Sequence, residues 1–336
     1  MNRIAVLGAG SWGTTFAQVL ADAGNDVVLW ARRDEVAREI AERGTNRAYL
    51  GEHRLPERIT GTSDVAHALG GAEGVVIAVP AQSLRATLTS WQEEAGDAGA
   101  LPAVPVLSLT KGIERGTDAR ISEILTSTGR VPAELVGVLS GPNLSAEIAQ
   151  RRPCGTVVAA ADEQLASTFA HWCDAPYLRA YTSTDVIGVE IAGAVKNVVA
   201  IAVGAAAGLG HGHNTTASLI TRGLAEITRL GVALGGSRET FAGLAGMGDL
   251  VATCASPLSR NHRLGLALGR GLGLEQAIAE VGQTAEGVAT ARAVADLAER
   301  LSVDMPITRS VVAVVDDGAS IEQVTTALLS RSVRPE

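Results

Sequence analysis

The feature that most constrains this chain lies in its first thirteen residues. Ile4-Ala5-Val6-Leu7 is a short apolar run, and Gly8-Ala9-Gly10-Ser11-Trp12-Gly13 follows it directly. The run predicts a strand buried on both faces, and the glycine spacing predicts how it is left. Gly8 allows a tight turn, Gly10 lets a pyrophosphate approach the backbone, and Gly13 lets the next helix pack on the strand. That helix, from about Ser11 to Ala23, points its positive N-terminus at the phosphates. A second strand, Val27-Val28-Leu29-Trp30, completes the unit.

The residues after that second strand bear on which dinucleotide is held. An Asp or Glu there would bind the ribose 2′-hydroxyl of NAD, whereas this chain reads Ala31-Arg32-Arg33. Two guanidiniums without a carboxylate suit a 2′-phosphate. NADPH is therefore an expected cofactor, and NADH is not excluded. A solvated basic start to the next helix is the competing reading.

Further along, short apolar runs alternate with helical patterns. Strands are expected at Gly74 to Val79, Val104 to Leu109, Leu135 to Leu139, Thr156 to Ala160 and Tyr177 to Tyr181. Helices such as Ala81 to Glu93 and Asp162 to Trp172 lie between them. This alternation predicts an α/β, Rossmann-like, doubly wound parallel sheet with helices on both faces. After Thr184 the strand signal ends and helical patterns follow one another to Val315. The expected organisation is a dinucleotide-binding domain over residues 1–188 and an all-α substrate domain over 189–336, with ligands between the two.

Composition narrows the class. With 36 acidic residues against 28 basic ones the formal charge is −8, which argues against broad nucleic-acid binding. Three cysteines without CxxC spacing fit a reducing cytoplasm and no metal site. Met1 to Gly10 does not read as a signal peptide. The apolar stretch Ile191 to Gly210 contains Lys196 and Asn197 and is rich in Ala and Gly, so a buried helix is expected there, not an integral membrane segment.

Of the 28 basic residues only two are lysine, Lys111 and Lys196. A chain that uses Arg for generic charge leaves its lysines as candidates for proton transfer or a compact ammonium. Lys111 follows a strand in Thr110-Lys111-Gly112, at the edge of an open sheet where ligands bind, as does Ser140-Gly141-Pro142-Asn143. Lys196 sits in an apolar helix, with Ala192, Gly193 and Ala200 one turn away. That small-residue floor leaves room for a ligand or for a packed helix. Desolvation would lower the lysine's pKa towards values useful in catalysis.

Asp249, in Gly246-Met247-Gly248-Asp249, is available to a lysine or a substrate hydroxyl, or else as a helix cap. Ser259-Arg260-Asn261 offers a hydroxyl, a guanidinium and an amide at a helix start, a phosphate cradle. Glu286 precedes a helix and could simply cap it. His211 and His213 lack a third metal ligand, and Cys254 lacks a neighbouring base that would make it a nucleophile.

Together these segments resemble the bacterial-type NAD(P)-dependent glycerol-3-phosphate dehydrogenases along essentially the whole chain. The matching pieces are GAGSWGT at 8–14, TKG at 110–112, SGPN at 140–143, VKN at 195–197, GMGDL at 246–250, LSRN at 258–261 and AEGV at 285–288. The resemblance implies reversible reduction of dihydroxyacetone phosphate to sn-glycerol 3-phosphate, which feeds phospholipid synthesis. It implies Lys196 as proton acceptor in the oxidative direction. Lys111, Gly141, Asn143, Asp249, Ser259, Arg260 and Asn261 are the implied substrate contacts. Implied cofactor contacts are Ser11, Trp12, Arg32, Arg33, Lys111, Ser145, Arg260, Thr284 and Glu286. The family often carries Ser or Thr where this chain has Asn143, and Ala where it has Ser145. A homodimer is compatible with this build.

Two other functions fit parts of the pattern. A β-hydroxyacid dehydrogenase or ketopantoate reductase would act on a carboxylate and would not need the Ser259-Arg260-Asn261 cradle. A non-catalytic dinucleotide sensor would give no reason for the two lone lysines.

Overall fold

The computed structural model describes residues 1–282 and 285–329. The contacts divide the chain into two units. The first comprises Met1–Lys111 and Ala119–Glu190, and the second Gly112–Asp118 and the chain from Ile191 onward. Gly112–Asp118 lies within the stretch that the sequence assigns to the first domain. Its ion pairs are with the second unit: Asp118 with Arg300 at 3.2 Å and Arg115 with Asp316 at 3.5 Å. These partners are some 200 residues away in sequence, and no local pattern reveals them.

The first unit is built on one eight-stranded sheet. Its strands are β1 (Arg3–Leu7), β2 (Asp26–Trp30), β3 (Ile59–Thr62), β4 (Gly74–Ile77), β5 (Val106–Ser108), β6 (Val136–Ser140), β7 (Cys154–Ala160) and β8 (Leu178–Ser183). Their spatial order is β3-β2-β1-β4-β5-β6-β7-β8. Strand β1 shows why its sequence is apolar throughout. Ile4 and Val6 face a core layer that includes Phe16 and Leu20 of the helix Ser11–Asp22, while Ala5 and Leu7 face the opposite layer with Leu84 and Trp91. A strand covered on both faces has no polar position to alternate.

One expectation needs correction: the sheet is not wholly parallel. Strands β3 through β6 pair in parallel, but β7 runs antiparallel to β6, and β8 is parallel to β7. The connection from β6 to β7 contains only the five-residue helix Ser145–Ala149. Such a helix rises about 7–8 Å, short of the roughly 17 Å needed to return along a five-residue strand. The chain therefore reverses beside β6 instead of crossing over the sheet. Strand β3 is absent from the sequence reading because only Ile59 in it is fully buried, so the edge strand carries no apolar run.

The second unit is helical. The helix Val186–Gly208 is long and apolar enough to cross a membrane, yet 78% of its most apolar window is buried inside the protein. It packs backbone to backbone on the helix Arg260–Gly269. A Cβ on Gly204 would lie 2.1 Å from the His262 carbonyl oxygen, and one on Gly265 would lie 2.0 Å from that of Ile201. Only residues without a side chain permit this approach.

The helix Pro306–Val315 begins against a buried acid. Glu226 is 1% exposed and accepts from the backbone N–H of Ile307 (2.7 Å) and Thr308 (3.2 Å). Burial pushes its carboxyl up to about 7, against these hydrogen bonds. A raised folded-state pKa means that the folded protein holds a proton that the unfolded chain has released. Stability tied to Glu226 is thus full below the ordinary value of 4.5 and is lost as pH rises through 7. Glu226→Gln should remove about 3 kcal/mol of this pH dependence. Chemical denaturation of both proteins at pH 5 and pH 8 checks it, since an unchanged difference between the two pH values would show that Glu226 does not titrate there.

Candidate active site

The glycine turn meets the steric demands read from its spacing. Gly8 has φ +124°, and a Cβ there would lie 2.5 Å from the Ala78 carbonyl oxygen at the end of β4. A Cβ on Gly13 would lie 1.9 Å from the Gly8 carbonyl oxygen. Both glycines are therefore required by the protein's own packing. Gly10 differs, because a Cβ there meets nothing within 4 Å. The space that its missing side chain leaves is open, as a backbone contact to a ligand needs.

The turn lies between β1 and β4, where the strand order reverses, at the carboxyl ends of the strands. That is where open α/β sheets hold ligands. The helix Ser11–Asp22 has no acid in its first turn and no side-chain cap at Gly10. Its first intrahelical bond is Thr14 N–H to the Gly10 carbonyl, which leaves the N–H groups of Ser11, Trp12 and Gly13 without helical acceptors. The Trp12 indole N–H is buried with no partner among the described residues. A dinucleotide pyrophosphate fits this turn: an open glycine, free N–H groups and an uncompensated positive helix end.

Arg32 and Arg33 are both exposed just past β2. The structure separates them. Arg33 lies 3.8 Å from Glu35 and 5.9 Å above the Tyr49 ring, whereas Arg32 has no hydrogen-bond or ion-pair partner among the described residues. Further along the same sheet edge, Lys111 Nζ donates to the Gly141 carbonyl at 3.2 Å. Gly141 has φ +151°, and the turn it makes is tied to β7: Thr156 Oγ1 lies within hydrogen-bond distance of both the Ser140 carbonyl (3.2 Å) and Asn143 Oδ1 (3.1 Å), to one of which its single proton is given. Asn143 Nδ2 is buried and unpartnered among the described residues. Ser145 Oγ meets Ser11 Oγ at 2.7 Å, which joins the two turns.

In the second unit the central feature is a buried charge pair. Lys196 is 6% exposed and Asp249 1%. The Lys196 ammonium donates to Asp249 Oδ1 and, at 2.7 Å, to Thr253 Oγ1; Thr253 in turn donates to Asp249 at 3.2 Å. Asp249 is not a helix cap. It is the first residue of the helix Asp249–Ala255, directly after a π-helical turn, Leu244–Gly248, and the N-cap position is held by Gly248. Asp249 and Thr253 stand four residues apart on one helix face, so both reach the same ammonium. The sequence reading missed Thr253; its signal was the i, i+4 spacing from Asp249. Ala192, Gly193 and Ala200, one turn from Lys196, are all buried.

Ser259 is the N-cap of the helix Arg260–Gly269, and its Oγ accepts from His262 N–H at 3.2 Å. Arg260 is half-buried and has no hydrogen-bond or ion-pair partner among the described residues. Asn261 Oδ1 accepts from Gly287 N–H at 3.1 Å, which pins the start of the helix Glu286–Arg300. Glu286 is the first residue of that helix, and Thr284 lies outside the described residues. Cys254 is buried, and burial pushes its thiol up to about 12, which disfavours the thiolate that a nucleophile needs. No group of three His, Cys, Asp or Glu side chains among the described residues is placed to hold a metal.

A family model described as the N-terminus of NAD-dependent glycerol-3-phosphate dehydrogenase matches residues 3–166, and its C-terminal counterpart matches residues 185–326. The chain belongs to this glycerol-3-phosphate dehydrogenase family. A relative from Corynebacterium jeikeium named glycerol-3-phosphate dehydrogenase (NAD(P)+) is 52% identical over all of both chains. One of the same name from Thermobifida fusca is also 52% identical, over 100% of this chain and 99% of its own. The crystal structure of the Coxiella burnetii glycerol-3-phosphate dehydrogenase is 36% identical. It superposes with a TM-score of 0.90, covering 98% of this chain and 99% of that one. Membership in the glycerol-3-phosphate dehydrogenase family separates the chain from the ketopantoate reductases and β-hydroxyacid dehydrogenases weighed above.

The three glycines of the turn allow a sharp comparison. Gly10→Ala should leave the fold intact and weaken NADPH roughly 10- to 100-fold, the loss expected when a backbone contact to a charged group is blocked. Gly13→Ala should instead destabilise the protein by at least about 1–3 kcal/mol through overpacking. Equilibrium binding and thermal melting of both variants measure this, and normal NADPH affinity in Gly10→Ala would remove the pyrophosphate from this turn.

Proposed function

We propose that this protein reversibly reduces dihydroxyacetone phosphate to sn-glycerol 3-phosphate with NADPH or NADH, supplying glycerophospholipid synthesis. The observation that carries the reading is a buried lysine ammonium shared by Asp249 and Thr253, in a chain with only one other lysine.

The Gly8–Gly13 turn holds the dinucleotide pyrophosphate, and the exposed Arg32 and Arg33 receive a 2′-phosphate, which favours NADPH. The bound nicotinamide supplies the hydride in reduction and takes it up in oxidation. Lys196 handles the proton. In reduction its ammonium donates to the ketone oxygen at C2 and stabilises the alkoxide as it forms. In oxidation the neutral amine accepts the proton of the C2 hydroxyl. Asp249 compensates the buried ammonium while the Thr253 hydroxyl fixes its direction. Arg260, without a partner among the described residues, binds the substrate phosphate at the start of its helix, and Ser259 and Asn261 fix that helix start. Lys111 contributes a fixed positive charge, held by the Gly141 carbonyl. The three free thiols, Cys154, Cys173 and Cys254, suit a reducing cytoplasm. The substrate is a small molecule, and a homodimer belongs to the same proposal.

Lys196→Arg keeps the charge but cannot give up a proton at working pH. It should lower kcat on the order of 10²–10⁴-fold in both directions. Near-normal rates of glycerol-phosphate oxidation in this variant would mean that the proton goes elsewhere.

Arg260→Ala should raise KM for dihydroxyacetone phosphate roughly 10- to 100-fold, the cost of a lost charge-assisted contact. Unphosphorylated dihydroxyacetone should be affected far less. Equal losses for the two ketones would place the phosphate away from Arg260.

A further inference from the structure

The hydroxyl of Ser145 is bound to the hydroxyl of Ser11, and the direction of that bond has consequences for anion binding. Each serine carries a single hydroxyl proton. If Ser11 donates to Ser145, it turns lone pairs towards any anion at the start of its helix. If Ser145 donates to Ser11, the Ser11 proton is free to bind the anion, and the two bonds in series polarise each other. The helix start offers such an anion three N–H groups without helical acceptors and no competing acid.

Ser145 is held in place for this by its backbone. Thr15 Oγ1 donates to the Ser145 carbonyl at 3.4 Å, and Gln18 Nε2 donates to the Ala149 carbonyl at 3.3 Å. Thus both ends of the short helix Ser145–Ala149 are tied to the helix Ser11–Asp22. Its buried face, Ile148 and Ala149, completes the attachment. With the backbone fixed in this way, the side-chain hydroxyl is not needed to keep the two helices together. It remains for Ser11.

We propose that Ser145 is a positioning residue for the nucleotide, its hydroxyl donating to Ser11 Oγ so that Ser11 donates to a pyrophosphate oxygen. The proposal rests on the reading of Gly8–Gly13 as the nucleotide turn. It makes a residue outside the glycine motif, 134 positions later in the chain, part of that motif's chemistry.

The test measures equilibrium binding to the full-length protein without substrate. Ser145→Ala, which installs the residue that the family often carries, should bind NADPH about fivefold more weakly, as for one neutral hydrogen bond. Its melting temperature and its affinity for 2′-AMP, which has no pyrophosphate, should be unchanged. In a Ser11→Ala background the same substitution should have no further effect, because the relay has already lost its second member. An unchanged NADPH Kd in Ser145→Ala overturns the proposal. So does a loss that persists in the Ser11→Ala background, or one shared equally by 2′-AMP. Normal NADPH affinity in both Ser11→Ala and Gly10→Ala would overturn the nucleotide-turn reading itself.

Discussion

The backbone contact between the helices Val186–Gly208 and Arg260–Gly269 is the constraint on which the chemistry of the second unit depends. Glycines at 204, 208, 265 and 269 let the two helices meet without intervening side chains. One helix carries Lys196; the other begins at Ser259-Arg260-Asn261. Fixing their separation fixes the distance between Lys196 and Arg260, the two groups to which the proposed function assigns the proton and the phosphate. A methyl group at any of these positions would push the helices apart and loosen that distance before touching either side chain. The Ala- and Gly-rich character of the long helix, which makes it look like a membrane span, is the signature of this close packing.

Placing Lys196 there has a cost. An ammonium taken out of water loses several kcal/mol of hydration, and a buried pair recovers this only when its hydrogen bonds are satisfied. Asp249 and Thr253 provide that satisfaction from one helix face. An apolar residue in this helix would be simpler for stability alone. The proposed proton transfer gives the lysine a reason to be there, since an amine can exchange a proton at working pH and a guanidinium cannot. Arg260 shows the complementary arrangement: among the described residues it has no hydrogen-bond or ion-pair partner.

In the first unit the corresponding constraint is the reversal of strand order at β1 and β4. It puts the glycine turn over the Ala78 backbone and aligns the ends of β1, β5 and β6 along one edge. The antiparallel β7 then returns beside β6 and lets Thr156 anchor the Gly141–Asn143 turn. The glycine turn, Lys111 and the Ser145 helix thus share a single framework although they are far apart in sequence.

What the sequence by itself determined is everything governed by short-range pattern. The glycine turn, the buried strands, the long apolar helix and the rarity of lysine are all written in adjacent or helically spaced residues, and steric rules make them legible. Seven ordered motifs then placed the chain in its family. What only the tertiary structure decided involves partners distant along the chain. Thr253 beneath Lys196, the different surroundings of Arg32 and Arg33, the Gly112–Asp118 segment in the second unit, the reversed β7 and the Ser11–Ser145 bond belong to this group. Each depends on which groups are brought into contact by folding. That proximity is set by packing over the whole domain, and no local window of sequence contains it.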